Sequence, residues 1–206
     1  FVAALGYFVD VYDIVLFMMV KKQSLMDIGI ISKTDLFDTG IFLHNWQMIG
    51  MLVGGIFWGI LGDKKGRLSV LFGSILLYSV ANVANAFVTT VEAYKFWRLL
   101  AGIGLAGELG AAITLVSELM PKEKRGIGTM IIVTFGALGA VFAFFVAKNG
   151  EGITTIVSQI MGRELENWQT AYIVGGVLGL LLLLMRAGTF ESALFENATT
   201  THVKRG

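Results

Sequence analysis

Apolar residues run in six long blocks along the chain, at about 1–20, 41–61, 68–88, 93–120, 127–147 and 168–185. A bilayer hydrocarbon core about 30 Å thick needs roughly 20 mostly apolar residues at 1.5 Å rise per residue, and each block meets that length. The pattern therefore predicts six transmembrane helices joined by polar segments. Within the polar segment 148–167, the stretch 153–160 reads as a short surface helix. Glycines recur four apart at Gly50/Gly54, Gly55/Gly59 and Gly175/Gly179. That spacing lets helix backbones approach closely where lipid supplies no hydrophobic drive to association.

The polar segments differ in charge. Lys64, Lys65 and Arg67 crowd the link between the second and third spans, and Lys122, Lys124 and Arg125 the link between the fourth and fifth. The opposite segments are longer and mix in acids: 21–40 carries Asp27, Asp35 and Asp38, and 148–167 carries Glu151, Glu164 and Glu166. Dense basic loops face the cytoplasm. This predicts that both ends of the segment are cytoplasmic, with a bundle over 1–190 and the start of a cytoplasmic linker over 191–206.

Composition agrees with lipid as the solvent. Mean hydropathy is +0.74, and charged residues make up 15% of the chain, against about 25% in ordinary soluble domains. A net charge of +1 gives no reason to expect nucleic acid. The chain has no cysteine, so disulfides, thiolate metal sites and a cysteine nucleophile are excluded. His44 and His202 form no ligand spacing, and no nucleophile–base constellation appears, so neither a metal, a cofactor nor an enzyme is expected. The chain opens at Phe1 already inside an apolar block, without the features of a signal peptide, and is expected to be part of something longer.

An ionised group at mid-bilayer costs at least about 2.5–3.5 kcal/mol, so acids retained there need a reason. Asp10, Asp13, Glu108 and Glu118 fall within predicted spans. On the first span, Gly6, Asp10, Asp13 and Phe17 share one helix face. Two carboxylates three residues apart in low dielectric repel if both are ionised, so at least one is expected to hold a proton. Glu108 is surrounded by Gly104, Gly107, Ala111 and Ala112. Arg98 lies about 15 Å away along the same helix, too far to neutralise it there. Glu118 stands next to the end of its span and can reach the interface or Arg125. The amides of Asn82, Asn85, Asn45 and Gln47 read as interhelical hydrogen-bond partners. Tyr7, Tyr12, Trp58 and Trp97 are interface anchors or cavity walls, and the sequence leaves both open.

The turn after the second span, Gly59-Ile-Leu-Gly-Asp-Lys-Lys-Gly-Arg67, resembles the signature G-x-L-x-D-[KR]-x-G-R of the major facilitator superfamily, with Leu68 in place of the usual final basic residue. The resemblance implies an all-α membrane protein in which this chain is the N-terminal six-helix bundle of a twelve-helix fold. It also implies a cytoplasmic latch built on Asp63 and Arg67, with Gly59, Gly66, Arg98, Glu118 and Arg125 in the gating set. The runs 96–108 and 117–126, with Gly6-Tyr-Phe-Val-Asp10-Val-Tyr-Asp13, are similar to the proton-coupled phosphate and metabolite symporters of that superfamily and more distantly to its sugar porters. By that likeness Asp10, Asp13 and Glu108 couple transport to protons or bind substrate, and the substrate is a small polar or anionic metabolite.

Two departures qualify the likeness. Leu109 and Gly110 stand where the phosphate carriers have an aromatic residue and a proline, which argues against phosphate. The fifth span, at 136–139, lacks the antiporter proline, which tilts the expectation to symport or uniport. The partners implied are a small molecule, a proton, lipid and a second six-helix half, in a plasma or bacterial inner membrane. A proton-independent facilitator and a non-transporting receptor or subunit remain open at this stage.

Overall fold

A helix is the only open segment that satisfies all its backbone groups internally in hydrocarbon, and each predicted apolar block is helical over most of its described residues. The computed structural model describes the backbone of residues 2–119 and 125–203, with side chains outside 2–3, 67–68, 109–119 and 189–203. Its elements are α1 (Val2–Asp27), α2 (Lys33–Lys65), α3 (Arg67–Asn85), α4 (Val91–Leu119), α5 (Arg125–Asn149), α6 (Glu151–Met161) and α7 (Asn167–Val203). The described residues contain no strand. Six long helices match the six apolar blocks, and α6 is the short helix expected over 153–160.

The helices overrun the apolar blocks. Of the polar segment 21–40, only the stretch between Asp27 and Lys33 is non-helical. Asp35 in the first turn of α2 complements the positive end of the helix dipole, so the helix continues past the lipid boundary. By length and apolar composition alone, three described helices qualify as spans: Lys33–Lys65, Arg125–Asn149 and Asn167–Gly188. The described part of α4 carries Glu92, Lys95, Arg98 and Glu108, and α1 carries Asp10 and Asp13, which dilutes both.

α1 packs on α5, α7, α4 and α2, while α4 lies between α2 and α3, and α3 closes against α7. Small residues set the closest approach. A Cβ on Gly54 would stand 2.5 Å from the Ile103 carbonyl oxygen, and Gly50 and Gly102 abut the facing backbone in the same way. The Trp58 indole bridges the same pair of helices, donating to the Ile103 carbonyl at 2.7 Å. Gly55 and Gly59, expected to pack likewise, face open space: nothing lies within 4 Å of a Cβ at either, because they point away from α4.

Gly66 joins α2 to α3 at φ 87° and ψ 149°, a conformation L side chains rarely adopt, so glycine is required at this turn. The core holds Tyr12, Phe17, Tyr94, Trp168 and Tyr172, and the outside of the bundle is apolar at Leu52, Ile56, Val133, Val141 and Leu184. α6 buries no residue. It is held from its polar side, where Thr154 donates to Asn167 Oδ1 at 2.8 Å and the Leu165 amide donates to Ser158 Oγ at 3.2 Å.

Candidate functional site

Three acids named from the sequence, Asp10 and Asp13 on α1 and Glu108 on α4, are all 0% exposed. They point into the bundle. Glu108 accepts from Arg186 Nη2 of α7 at 2.6 Å, both side chains being buried. The pair passes over Gly6: a Cβ there would lie 2.6 Å from Arg186 Nη2 and would also meet Glu108 Oε1. A glycine on α1 thus makes the space in which α4 and α7 exchange an ion pair.

About two helical turns along α1 from Gly6, Asp13 belongs to a second group. Gln47 of α2 donates from Nε2 to Asp13 Oδ2 at 3.5 Å and accepts at Oε1 from Arg98 Nη2 of α4. The amide therefore stands between a carboxylate and a guanidinium and bonds to both. Arg98, fully buried, also lies 4.1 Å over the Phe17 ring. A guanidinium over an aromatic face is attracted by the ring quadrupole, and more strongly when desolvated.

Asp10 lies between the two groups. It is within electrostatic reach of Glu108, Arg186 and Asp13, yet neither of its oxygens accepts a hydrogen bond among the described residues. Among the described residues, three buried carboxylates thus face two guanidinium groups inside the bundle. A net charge sealed in low dielectric is expensive, so neutrality asks one carboxylate to hold a proton. Asp10, whose oxygens have no bonded partner among the described residues, is the site that neutrality favours.

The gating set is dispersed. Asp63, Lys64 and Lys65 are exposed in the last turn of α2, next to the Gly66 link, and Gly59 is exposed one turn earlier. Arg125 is exposed at the start of α5. The side chains of Arg67 and Glu118 lie outside the described residues. Arg98 does not join this loop group: it is enclosed beside Gln47, far along α4 from its C-terminal end. Gln47 is the interhelical amide partner that the sequence predicts, bonding α1 and α4 at once, whereas nothing local in the sequence singles out Arg186, which follows the last apolar block. The signal for Arg186 was Glu108 itself, a buried acid with no cation within reach on its own helix. Two surface cavities, about 750 Å³ beside α6 and about 410 Å³ beside Trp168, contain none of these residues.

Six long helices with an apolar outer surface and ionisable pairs sealed inside define an integral membrane helical bundle. The chain belongs to the Major Facilitator Superfamily, whose model matches residues 3–202, and it folds as the N-terminal six-helix half of that architecture. The niacin transporter NiaP of Acinetobacter baylyi is 34% identical over 129 residues, 63% of this chain and 27% of that protein. The 3-(3-hydroxy-phenyl)propionate transporter of Escherichia coli is 32% identical over 150 residues, 72% of this chain and 34% of that protein. The chain therefore spans about a third of the length of these curated relatives. The partially occluded, inward-open xylose transporter XylE of E. coli superposes with a TM-score of 0.66 at 19% identity, over 89% of this chain and 47% of that one. That likeness is one of fold. XylE is a proton:xylose symporter, and the relatives named above are transporters rather than enzymes.

Proposed function

We propose that this chain is the N-terminal half of a secondary transporter that couples a proton to symport of a small organic anion by alternating access. The observation that carries the reading is the group of three enclosed carboxylates against two guanidinium groups. An enclosed acid without a bonded partner is a proton-binding site whose occupancy changes the charge of the bundle interior, and that is what coupling requires. Asp10 takes the proton. Asp13 and Glu108, each tied to a neighbour on another helix, transmit the change to α2, α4 and α7.

The three acids face inward from α1 and α4, which supports a coupling role for them rather than direct contact with substrate. Two of the relatives support an anionic substrate, since niacin and 3-(3-hydroxy-phenyl)propionate are both small carboxylates. Asp63 and Arg67, with Gly59, Gly66, Glu118 and Arg125, form the cytoplasmic latch, and Arg98 stands apart from it beside Gln47. Both ends of the segment are cytoplasmic, 191–206 begins the linker to a second six-helix half, and the whole lies in a plasma or bacterial inner membrane.

The test is uptake by the full-length transporter in proteoliposomes, with and without an inward proton gradient, over a panel of carboxylates. The gradient is expected to drive accumulation. Asp10→Asn, Asp13→Asn and Glu108→Gln are expected to abolish uphill uptake while exchange of internal for external substrate persists in part. Normal accumulation in all three variants rejects the assignment, and uptake that ignores the gradient in the unmodified protein makes it a facilitator.

A further inference from the structure

α6 has 11 residues and is about 16 Å long, too short to cross a bilayer. Its apolar residues, Ile153, Ile156, Val157, Ile160 and Met161, recur at spacings that gather them on one side of the helix, and Glu151, Thr154, Thr155, Ser158 and Gln159 take the other. The bundle covers only part of the apolar side. Ile153 packs against the core cluster that contains Trp168 and Tyr172, whereas Ile156 is 58% and Ile160 80% exposed. The polar side divides in the same way. Thr154 and Ser158 bond toward the start of α7, and Thr155 and Gln159 line the cavity of about 750 Å³ with Arg163, Glu164 and Glu166. The isoleucine edge and this polar edge therefore flank the bundle-facing side from opposite directions. A helix laid along a membrane boundary needs that order: protein beside it, lipid below and water above.

What lies against the isoleucine edge follows from where α6 begins. Gly150 alone separates it from the end of α5 at Asn149. α5 is apolar on its outer side at Val141, Phe144 and Phe145. In its last turn Lys148 places its ammonium 5.4 Å from the centre of the Phe144 ring. A lysine at the end of a span runs its stem along apolar surface and leaves its charge at the headgroups, so α6 leaves α5 at the lipid boundary. Just past α6, Arg163 lies 5.9 Å over the Phe87 ring, next to the α3–α4 link. About one turn into α4 from that link, Lys95 stands 5.4 Å over the Trp46 ring. Basic and aromatic side chains thus share this level of the bundle, as they do at membrane interfaces.

We propose that α6 lies in the plane of the bilayer surface and inserts Ile156 and Ile160 among the acyl chains of the adjacent leaflet, fixing the link between α5 and α7 at the membrane boundary. Lipid fits this edge better than a protein partner. The edge continues the lipid-facing side of α5, and two side chains on a short helix fall far below the roughly 800 Å² per partner of a stable protein interface. Apolar area drives the insertion, because 151–161 contains no lysine or arginine to attract anionic headgroups. The inference rests on the membrane setting of the bundle and is independent of proton coupling.

Spin-label accessibility in the full-length transporter, reconstituted in phosphatidylcholine vesicles, tests the placement. Nitroxides are attached one at a time at Ile156→Cys, Ile160→Cys, Thr155→Cys and Gln159→Cys, with any cysteine elsewhere in the transporter replaced by serine. All four positions are exposed, so labelling leaves the packing of the bundle intact. Access of oxygen, which concentrates in lipid, is compared with access of a water-soluble nickel chelate. Labels at 156 and 160 are expected to meet oxygen and not nickel, at about 5–10 Å into the boundary between headgroups and acyl chains, and labels at 155 and 159 to meet nickel. Adding phosphatidylglycerol is expected to leave the pattern unchanged. Nickel access at 156 or 160 would put the edge in water and overturn the insertion. Labels at 156 and 160 shielded from both reagents would mean that protein, either the second half or another copy, covers the edge, and would overturn it equally. Nickel protection at all four positions would refute the in-plane placement, and insertion seen only with phosphatidylglycerol would refute its apolar origin.

Discussion

Removing either partner of the Glu108–Arg186 pair is expected to destabilise the bundle severely, and removing both to cost much less than the two losses together. The atoms are 2.6 Å apart, with side-chain exposures of 8% for Arg186 and 0% for Glu108. Charges about 4 Å apart attract by roughly 4 kcal/mol at an effective dielectric of about 20. Breaking a buried pair from one side typically costs about 3–5 kcal/mol, because the survivor stays buried without its counter-charge. Glu108→Gln and Arg186→Met should each lose that much, and the double variant should recover about 2 kcal/mol or more of the sum.

Gly6→Ala attacks the same contact without touching a charge. Its methyl group would meet both partners, and overpacking of this kind costs about 1–3 kcal/mol. The assay is denaturation of the purified full-length transporter in detergent, by heat and by SDS, followed by circular dichroism. Losses that add to within about 0.5 kcal/mol across the cycle would show that the two side chains act independently. The ion pair would then not be what ties α4 to α7.

Two further outcomes follow from the packing. Gly54→Ala should lower the melting temperature and folded yield sharply, because its methyl group meets the α4 backbone at Ile103, whereas Gly55→Ala, facing open space one residue on, should leave both unchanged. Equal effects of the two would refute the α2–α4 register. Gly66→Ala should cost about 1–3 kcal/mol, read as a thermal shift, since the link is held at φ 87°. An unchanged melting temperature would mean that the turn adopts another conformation.

Much of the site was legible one residue at a time and little of it as an arrangement. Asp10, Asp13 and Glu108 stood out because an acid inside an apolar block is costly wherever the helix is placed. Gln47 did not, since a lone amide in a span has many satisfactory partners and nothing local shows that it bonds a carboxylate and a guanidinium at once. The Gly55/Gly59 spacing matched Gly50/Gly54 in the sequence, yet only the latter meets a neighbouring helix. Spacing defines a helix face but does not say what lies opposite it.

The sequence by itself determined the number of long helices, their lipid solvent, the short helix over 153–160 and the family. Each of these depends on hydrophobicity summed over neighbouring residues, or on a motif contiguous in the chain. Only the tertiary structure decided that Arg186 answers Glu108 across 78 residues, that Arg98 joins Asp13 through Gln47, and that Asp10 has no bonded partner among the described residues. Those pairings depend on the rotation and register of helices packed against one another. Such geometry is settled by contacts between distant segments and is written in no single stretch of the chain.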